Sequence, residues 1–340
     1  MRLGIFGVGG IGGIIAGYLA RAGRDVTLID TWPANIDYIK VNGISVTAQD
    51  ESFTARATAL HLGEVAAARP SFDAVILSVK SYDTSWSSMF IEPYLAPGGF
   101  IVSAQNSINE DAIAEVVGWP RVVGCVVTLS AAMYEPGRTE RTSPSERPAF
   151  VLGEPSGLIT TRVERMAEVL SAIGASRTTT NLWGQRWSKL ATNSMSNAVA
   201  GITGLRSAEV RQEADARRLS IAIAGELLQV ASALGVSVEP INGIPADLFL
   251  EAPGDGAKWE ELEQRMLEVG QTTGTGRPSL AQDVIKGRKT EVDELNGYVV
   301  RRGVEVGIPT PVNEAVVALT RRVESGELKQ ALSNLKYIQY

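Results

Sequence analysis

Short apolar runs separated by glycine-rich or polar turns fill the first half of the chain, and apolar residues spaced three or four apart fill the second. The runs centre on Leu3, Ile5 and Phe6, on Val26, Leu28 and Ile29, on Ala74, Val75, Ile76, Leu77 and Val79, on Phe100 to Val102, and on residues 121–128. Apolar runs without alternation suit strands buried on both faces of a parallel sheet, because alternation is expected only where one face meets water. Residues 44–48 and 53–57 predict two further short strands and 148–152 a last one. Gly98-Gly99 predicts a turn ahead of Phe100. Residues 131–147 predict irregular strands and loops around a Pro136-Gly137 turn. At 161–172 the period changes to helical, with Val163, Met166, Val169 and Leu170 on one face. Beyond about Asn181 it stays helical to the end.

The first run flows into Gly7, Gly9 and Gly12, a G-x-G-x-x-G that closes a strand and opens a helix. That context carries a mechanism: Gly7 for a tight turn, Gly9 for backbone approach to a pyrophosphate, and Gly12 for close packing of helix on strand. The loop residues Gly7, Gly9, Gly10, Ile11 and Gly12 then present backbone N–H groups at a helix N-terminus, where the dipole favours phosphate. A secretory signal is the competing reading of the uncharged stretch after Met-Arg, but seven glycines between Leu3 and Ala20 make a poor apolar core for one. The second run ends in Asp30, placed to accept the ribose hydroxyls of NAD. No Lys or Arg occurs from Asp25 to Ile39 to receive a 2′-phosphate, so NAD is favoured over NADP. The pattern predicts an α/β protein, an N-terminal Rossmann-like parallel sheet over 1–181 that binds a dinucleotide, and a C-terminal all-helical domain over 182–340 for substrate and catalysis.

With 340 residues and 44% apolar content, two buried cores are affordable, and a net charge of −6 without a long basic run argues against nucleic acid or a membrane surface as partner. The lone Cys125 sits among Val123, Val126 and Val127, which reads as packing and fits a reducing cytoplasm. The chain has one histidine, His61, so neither a Ser-His-Asp triad nor a His-rich metal site can be built, and no metal is expected. A catalytic proton must come from Lys, Tyr, Asp, Glu or water.

Several polar residues stand out. Lys80 ends the third of the apolar runs, where it either meets a cofactor or is an ordinary surface lysine. Lys189, Asn193 and Asn197 recur every fourth residue, a stripe that drifts by roughly 80° over two steps at 3.6 residues per turn. Ser279 with Gln282 matches a capping box, and Thr290 could cap the next helix, placing Glu291 in its first turn.

Together these residues make the chain resemble the ketopantoate reductase family. The resemblance rests on the glycine loop, Val79-Lys80-Ser81-Tyr82-Asp83, Gln105-Asn106, Trp187-Ser188-Lys189-Leu190-Ala191-Thr192-Asn193, Ser279-Leu280-Ala281-Gln282-Asp283 and Thr290-Glu291-Val292-Asp293-Glu294-Leu295-Asn296-Gly297. It implies reduction of a 2-keto acid, ketopantoate by default, with NAD(P)H in a cleft between a Rossmann and a helical domain. By the same resemblance Lys189 is the general acid, Glu291 holds the substrate hydroxyl or the lysine, Lys80 and Asn106 lie by the cofactor, Asn193 and Asn197 orient the substrate, and Ser279 binds its carboxylate side. Three departures qualify it: Asn106-Ser107 replaces the family's Asn-Gly, Asp30-Thr31-Trp32 stands where NADPH-preferring members are basic, and 246–277 looks longer than the family's connection. Oxidation of a different hydroxy compound with NAD, or a non-catalytic NAD(P) sensor, are the alternatives. The apolar C-terminal helices are compatible with a homodimer.

Overall fold

The computed structural model describes residues 1–146, 148–274 and 276–339, and the chain divides into two compact units, Met1–Leu182 and Trp183–Tyr340. In the first unit the strands are β1 (Leu3–Phe6), β2 (Val26–Asp30), β3 (Ile44–Thr47), β4 (Ser52–Ala55), β5 (Thr58–His61), β6 (Phe72–Leu77), β7 (Leu95–Ser103), β8 (Val122–Val127), β9 (Ala131–Glu135), β10 (Arg138–Arg141), β11 (Phe150–Gly153) and β12 (Ser176–Thr178). Its helices are α1 (Gly10–Arg21), α2 (Pro33–Asn42), α3 (Leu62–Ala68), α4 (Thr84–Ile91), α5 (Glu110–Val117) and α6 (Thr161–Leu170).

Eight strands form one sheet in the order β12-β11-β8-β7-β6-β1-β2-β5. All pairs are parallel except β11 with β8. The central strands β1 and, apart from Asp73, β6 are apolar and almost fully buried, as a strand covered on both faces must be. Chain order reverses between them: β1 pairs with β2 on one side and with β6 on the other. A second sheet, β4-β3-β10-β9, packs against α1. Small residues on α1 allow this, because a Cβ on Gly13 would crowd Met133 and Thr139, and one on Gly17 would overlap the buried Val46.

One local expectation is corrected. Gly98-Gly99 is no turn before the strand: β7 runs through it, with Gly98 at φ +74° and the β6 pairing shifting register between Phe72 and Ala74. A bulge absorbs the two glycines where a break was expected. Residues 131–141 form a hairpin, β9 with β10, that turns at Pro136-Gly137 and carries a register irregularity between Arg138 and Thr139, as expected; the remainder of the expected irregular stretch includes Arg147, which lies outside the described residues. Cys125 is fully buried in β8, and His61 ends β5 as the register partner of Asp30, with Nε2 2.8 Å from Asp37 Oδ1.

The second unit is helical: α7 (Leu182–Asn193, entered from the last residue of the first unit), α8 (Val199–Thr203), α9 (Ser207–Gln212), α10 (Ala214–Ala233), α11 (Ala246–Glu251), α12 (Gly256–Thr272), α13 (Ser279–Ile285), α14 (Asn296–Val306) and α15 (Pro311–Glu324). The 246–277 stretch, apart from Thr275, which lies outside the described residues, is an ordered pair of helices. Here α12 packs on α9, and Glu263 pairs with Arg217 at 3.2 Å. No helix among the described residues is long and apolar enough to cross a membrane.

Candidate active site

In the first unit the expected cofactor residues gather at the carboxyl ends of four adjacent strands. Gly7 to Gly12 follow β1, Asp30 closes β2, Lys80 lies three residues beyond β6, and Asn106 three beyond β7. Open α/β sheets bind ligands at such a switch point. Gly7 has φ +95°, and a Cβ on it would approach Val79 N to 2.6 Å. A Cβ on Gly12 would overlap the Gly7 carbonyl oxygen, and one on Gly10 would come within 2.9 Å of the Ala131 carbonyl oxygen. Those three glycines are therefore demanded by the protein itself. Gly9 differs, because a Cβ there meets nothing within 4 Å. The backbone at Gly9 is open to a phosphate, and α1 begins there without a side-chain cap or an acidic residue in its first turn.

Side chains distant in sequence hold this loop. Asp30 accepts from Val8 N (2.6 Å) and from Trp32 N (2.9 Å), one bond to each carboxylate oxygen, which leaves each a lone pair for a ribose hydroxyl. Asn35, fully buried, donates to Val8 O (2.9 Å) and accepts from Gly137 N (2.7 Å). Ser78 donates to Gly7 O (2.8 Å) and Thr139 to Gly10 O (3.0 Å). Asn35, Ser78 and Thr139 were not singled out from the sequence, because no local spacing marks a partner 27 to 129 positions away.

A second network joins the loops after β6 and β7. The Asn106 carbonyl accepts from Ser81 Oγ (3.0 Å) and Asn109 Nδ2 (2.6 Å), and Gln105 Nε2 donates to Val79 O (3.0 Å) and Thr84 Oγ1 (2.8 Å). Lys80 and Asn106 thus stand on cross-linked backbone, each partly buried. Ser107 takes φ +67°, a left-handed conformation that favours glycine.

The second unit carries the remaining residues. Helix α7 buries Trp187 and Leu190 and bears Lys189 and Asn193. Lys189 is partly exposed and makes no hydrogen bond or ion pair among the described residues. Desolvation holds its pKa below the ordinary lysine value. The stripe does not drift as a regular helix would, because Ser194–Ala198 is a π-helical turn. Hydrogen bonds from i to i+5 need more than four residues per turn, so the step toward Asn197 falls short of a full turn where the first step overshoots it. Drift is thereby opposed, not accumulated. The Ser220 hydroxyl lies 3.0 Å from the Met195 carbonyl inside this turn. Asn193 is 7% exposed, and Asn197 is 5% exposed with an amide that makes no hydrogen bond among the described residues.

The capping expectations fail. Ser279 is the first residue of α13 behind Pro278, and Gln282 Nε2 donates to Arg277 O (3.0 Å), so there is no capping box. The Ser279 hydroxyl makes no hydrogen bond among the described residues. Glu291 is not in the first turn of a helix, since 291–295 is a series of turns and α14 begins only at Asn296. Glu291 is buried, at 4% exposure.

A family profile described as "Ketopantoate reductase PanE/ApbA" matches residues 3–156, and its C-terminal counterpart matches 181–324. The 2-dehydropantoate 2-reductase of Pyrobaculum aerophilum is 31% identical over 252 residues, 74% of this chain and 76% of its own. The chain belongs to the ketopantoate reductase family. Membership makes it an oxidoreductase working with a nicotinamide cofactor. Among solved structures, the PanE/ApbA family ketopantoate reductase of Ralstonia eutropha is 27% identical with a TM-score of 0.80, over 96% of this chain and 99% of that one. D-mandelate dehydrogenase, solved with NADH and anilino(oxo)acetate, shares the fold at 21% identity and a TM-score of 0.81, over the same 96% and 99%.

The loop geometry makes opposite demands of two glycines. Gly12→Ala is expected to lower Tm by several degrees, because the clash is with backbone. Gly9→Ala is expected to keep the wild-type Tm and weaken cofactor binding at least tenfold. Calorimetry and a fluorescence titration with NADH check both; equal Tm losses in the two variants would contradict the account.

Proposed function

We propose that the chain reduces the carbonyl of a 2-keto acid, with ketopantoate as the default substrate and Lys189 as the proton donor. The observation that carries this reading is Lys189 itself, an ammonium without a partner among the described residues, partly desolvated on a helix that also carries Asn193. The first unit serves as the dinucleotide-binding domain and the second supplies substrate and catalytic groups. The nicotinamide, when bound, supplies the hydride. Gly9 and the start of α1 hold the pyrophosphate, Asp30 the ribose, and Lys80 and Asn106 the remaining polar groups of the cofactor. Lys189 Nζ gives its proton to the carbonyl oxygen as negative charge develops there, and until then its own charge stabilises that oxygen. Glu291 accepts a hydrogen bond from a substrate hydroxyl. Asn197 and Ser279, whose side chains make no hydrogen bond among the described residues, bind substrate oxygens together with Asn193.

Lys189→Ala is expected to lower kcat by about 10²- to 10⁴-fold while leaving the dissociation constant of the reduced cofactor unchanged. Stopped-flow and equilibrium titration check this, and wild-type turnover in the variant would remove Lys189 from the chemistry. The pH dependence follows from the sign of the shift. A lysine whose pKa is lowered loses its proton at lower pH than usual, so carbonyl reduction falls as pH rises through that lowered value, below the ordinary lysine range. In Lys189→Arg, whose guanidinium does not titrate there, the alkaline fall is expected to disappear from whatever rate remains.

We further propose that NAD is preferred to NADP. Asp30 is tied by two backbone N–H groups, so its carboxylate cannot easily turn away from a 2′-phosphate. Like charges at that range oppose binding. NADH is expected to bind more tightly than NADPH, and Asp30→Asn to narrow the ratio. Tighter binding of NADPH by the unaltered chain would contradict this.

A further inference from the structure

Glu291 stands on a run of turns, which gives a carboxylate no rigid support of its own. What surrounds that run is regular. On the N-terminal side, the Thr290 backbone N–H donates to Glu324 Oε1 (2.8 Å) and its hydroxyl to Glu324 Oε2 (3.3 Å). On the C-terminal side, Asp293 Oδ1 accepts from Arg321 Nη2 (2.6 Å) and Nε (3.1 Å), and Arg301 Nη1 donates to the Asp293 carbonyl (2.9 Å). At the end of the turns, Asn296 Nδ2 donates to Asn313 Oδ1 (3.0 Å). Glu324, Arg321 and Asn313 all belong to α15. Asn313 and Glu324 are eleven residues apart, about three helical turns, and so share a face.

Helix α15 is itself fixed. Glu226 of α10 accepts from the backbone N–H groups of Val312 (2.8 Å) and Asn313 (2.9 Å) and from Asn313 Nδ2 (2.7 Å). A carboxylate on the first turn of a helix satisfies N–H groups that have no partner within it. The longest helix of the unit therefore anchors the start of α15, and α15 reaches along the turns to hold them at three points. Within the turns, Glu291 contributes its own carbonyl, which accepts from Leu295 N (2.9 Å) and Glu294 N (3.1 Å).

We propose that α15 is the positioning element for Glu291, with Glu324 holding the Thr290 backbone N–H on one side, Arg321 holding the Asp293 carboxylate on the other, and Asn313 fixing the helix start that follows. The proposal rests on the reading of Glu291 as a substrate-binding carboxylate. None of the three side chains touches substrate; they act by fixing where the Glu291 carboxylate stands. The Arg321–Asp293 pair is too exposed, at 61% and 28%, to add much to stability. Its loss is felt in geometry, and misplacing a substrate-holding group by a fraction of an ångström is enough to slow a reaction.

The test is a double-mutant cycle on the full chain, reading kcat/KM for the keto acid, cofactor affinity and Tm. Glu324→Ala is expected to lower kcat/KM by about 10- to 100-fold with cofactor affinity unchanged. Glu324→Gln is expected to retain most activity, because an amide oxygen still accepts from Thr290 N–H. In a Glu291→Ala background, adding Glu324→Ala should cost nothing more, since the clamp then has nothing to position. If Glu324→Ala does not fold, Arg321→Gln takes its place in the cycle with the same expected non-additivity. An unimpaired Glu324→Ala, or equal losses with and without Glu291, overturns the clamp and leaves the role of Glu291 standing. A fully active Glu291→Ala overturns the role of Glu291 and the clamp with it.

Discussion

An ammonium that is partly desolvated and given no carboxylate among the described residues is costly to keep, and Lys189 is such a group. Burial works against its charge, so the folded chain pays most below the lowered pKa, where the lysine is charged, and is relieved as pH rises past it. A structural lysine would be served better by solvent or by an acidic neighbour, of which this chain has many, as Lys40 with Glu64 and Lys258 with Glu251 show. At Lys189 no such partner is provided among the described residues. That arrangement makes sense for a proton that must leave, and the rest of α7 supports it: Trp187 and Leu190 lock the helix into the core while the next turn is wound wide.

The first unit follows the same logic with backbone in place of side chains. Three of the loop glycines are forced by contacts with Val79, Gly7 and Ala131, whereas the fourth faces open space. A site for an anion is thus left by the folding of the loop, with N–H groups supplied by the helix start. Asp30, Asn35, Ser78 and Thr139 then hold the loop from four different elements, so that the open position is rigid before any ligand arrives. Pre-organised sites of this kind lose little entropy on binding.

Much of this was legible in the sequence. The parallel strands could be read because burial on both faces leaves unbroken apolar runs, and the glycine motif because each glycine answers a separate steric demand. The reading failed where tertiary contacts override local signals. Gly98-Gly99 became a bulge because β7 pairs with β6 on both sides of them, at Leu95 and again from Phe100. Ser279 and Thr290 carried cap-forming side chains, but Pro278 took the cap position in one case, and in the other the Thr290 hydroxyl accepts from Val292 N (3.4 Å) within turns that delay the helix to Asn296. The π turn has no sequence signature in a run as plain as Ser194-Met195-Ser196-Asn197-Ala198; it is supported by Ser220, 25 residues away. Lys189 could be nominated by the scarcity of histidine and by resemblance, but its lack of a partner among the described residues is a fact about space that no linear pattern encodes.

The most direct measurement of that claim is a titration of the lysine ammonium groups by NMR in the cofactor-free protein, with Lys189→Arg identifying the signal that disappears. The account predicts that the Lys189 signal titrates at clearly lower pH than those of the exposed lysines. A Lys189 signal that titrates in the ordinary lysine range would show a solvated lysine and would contradict the account.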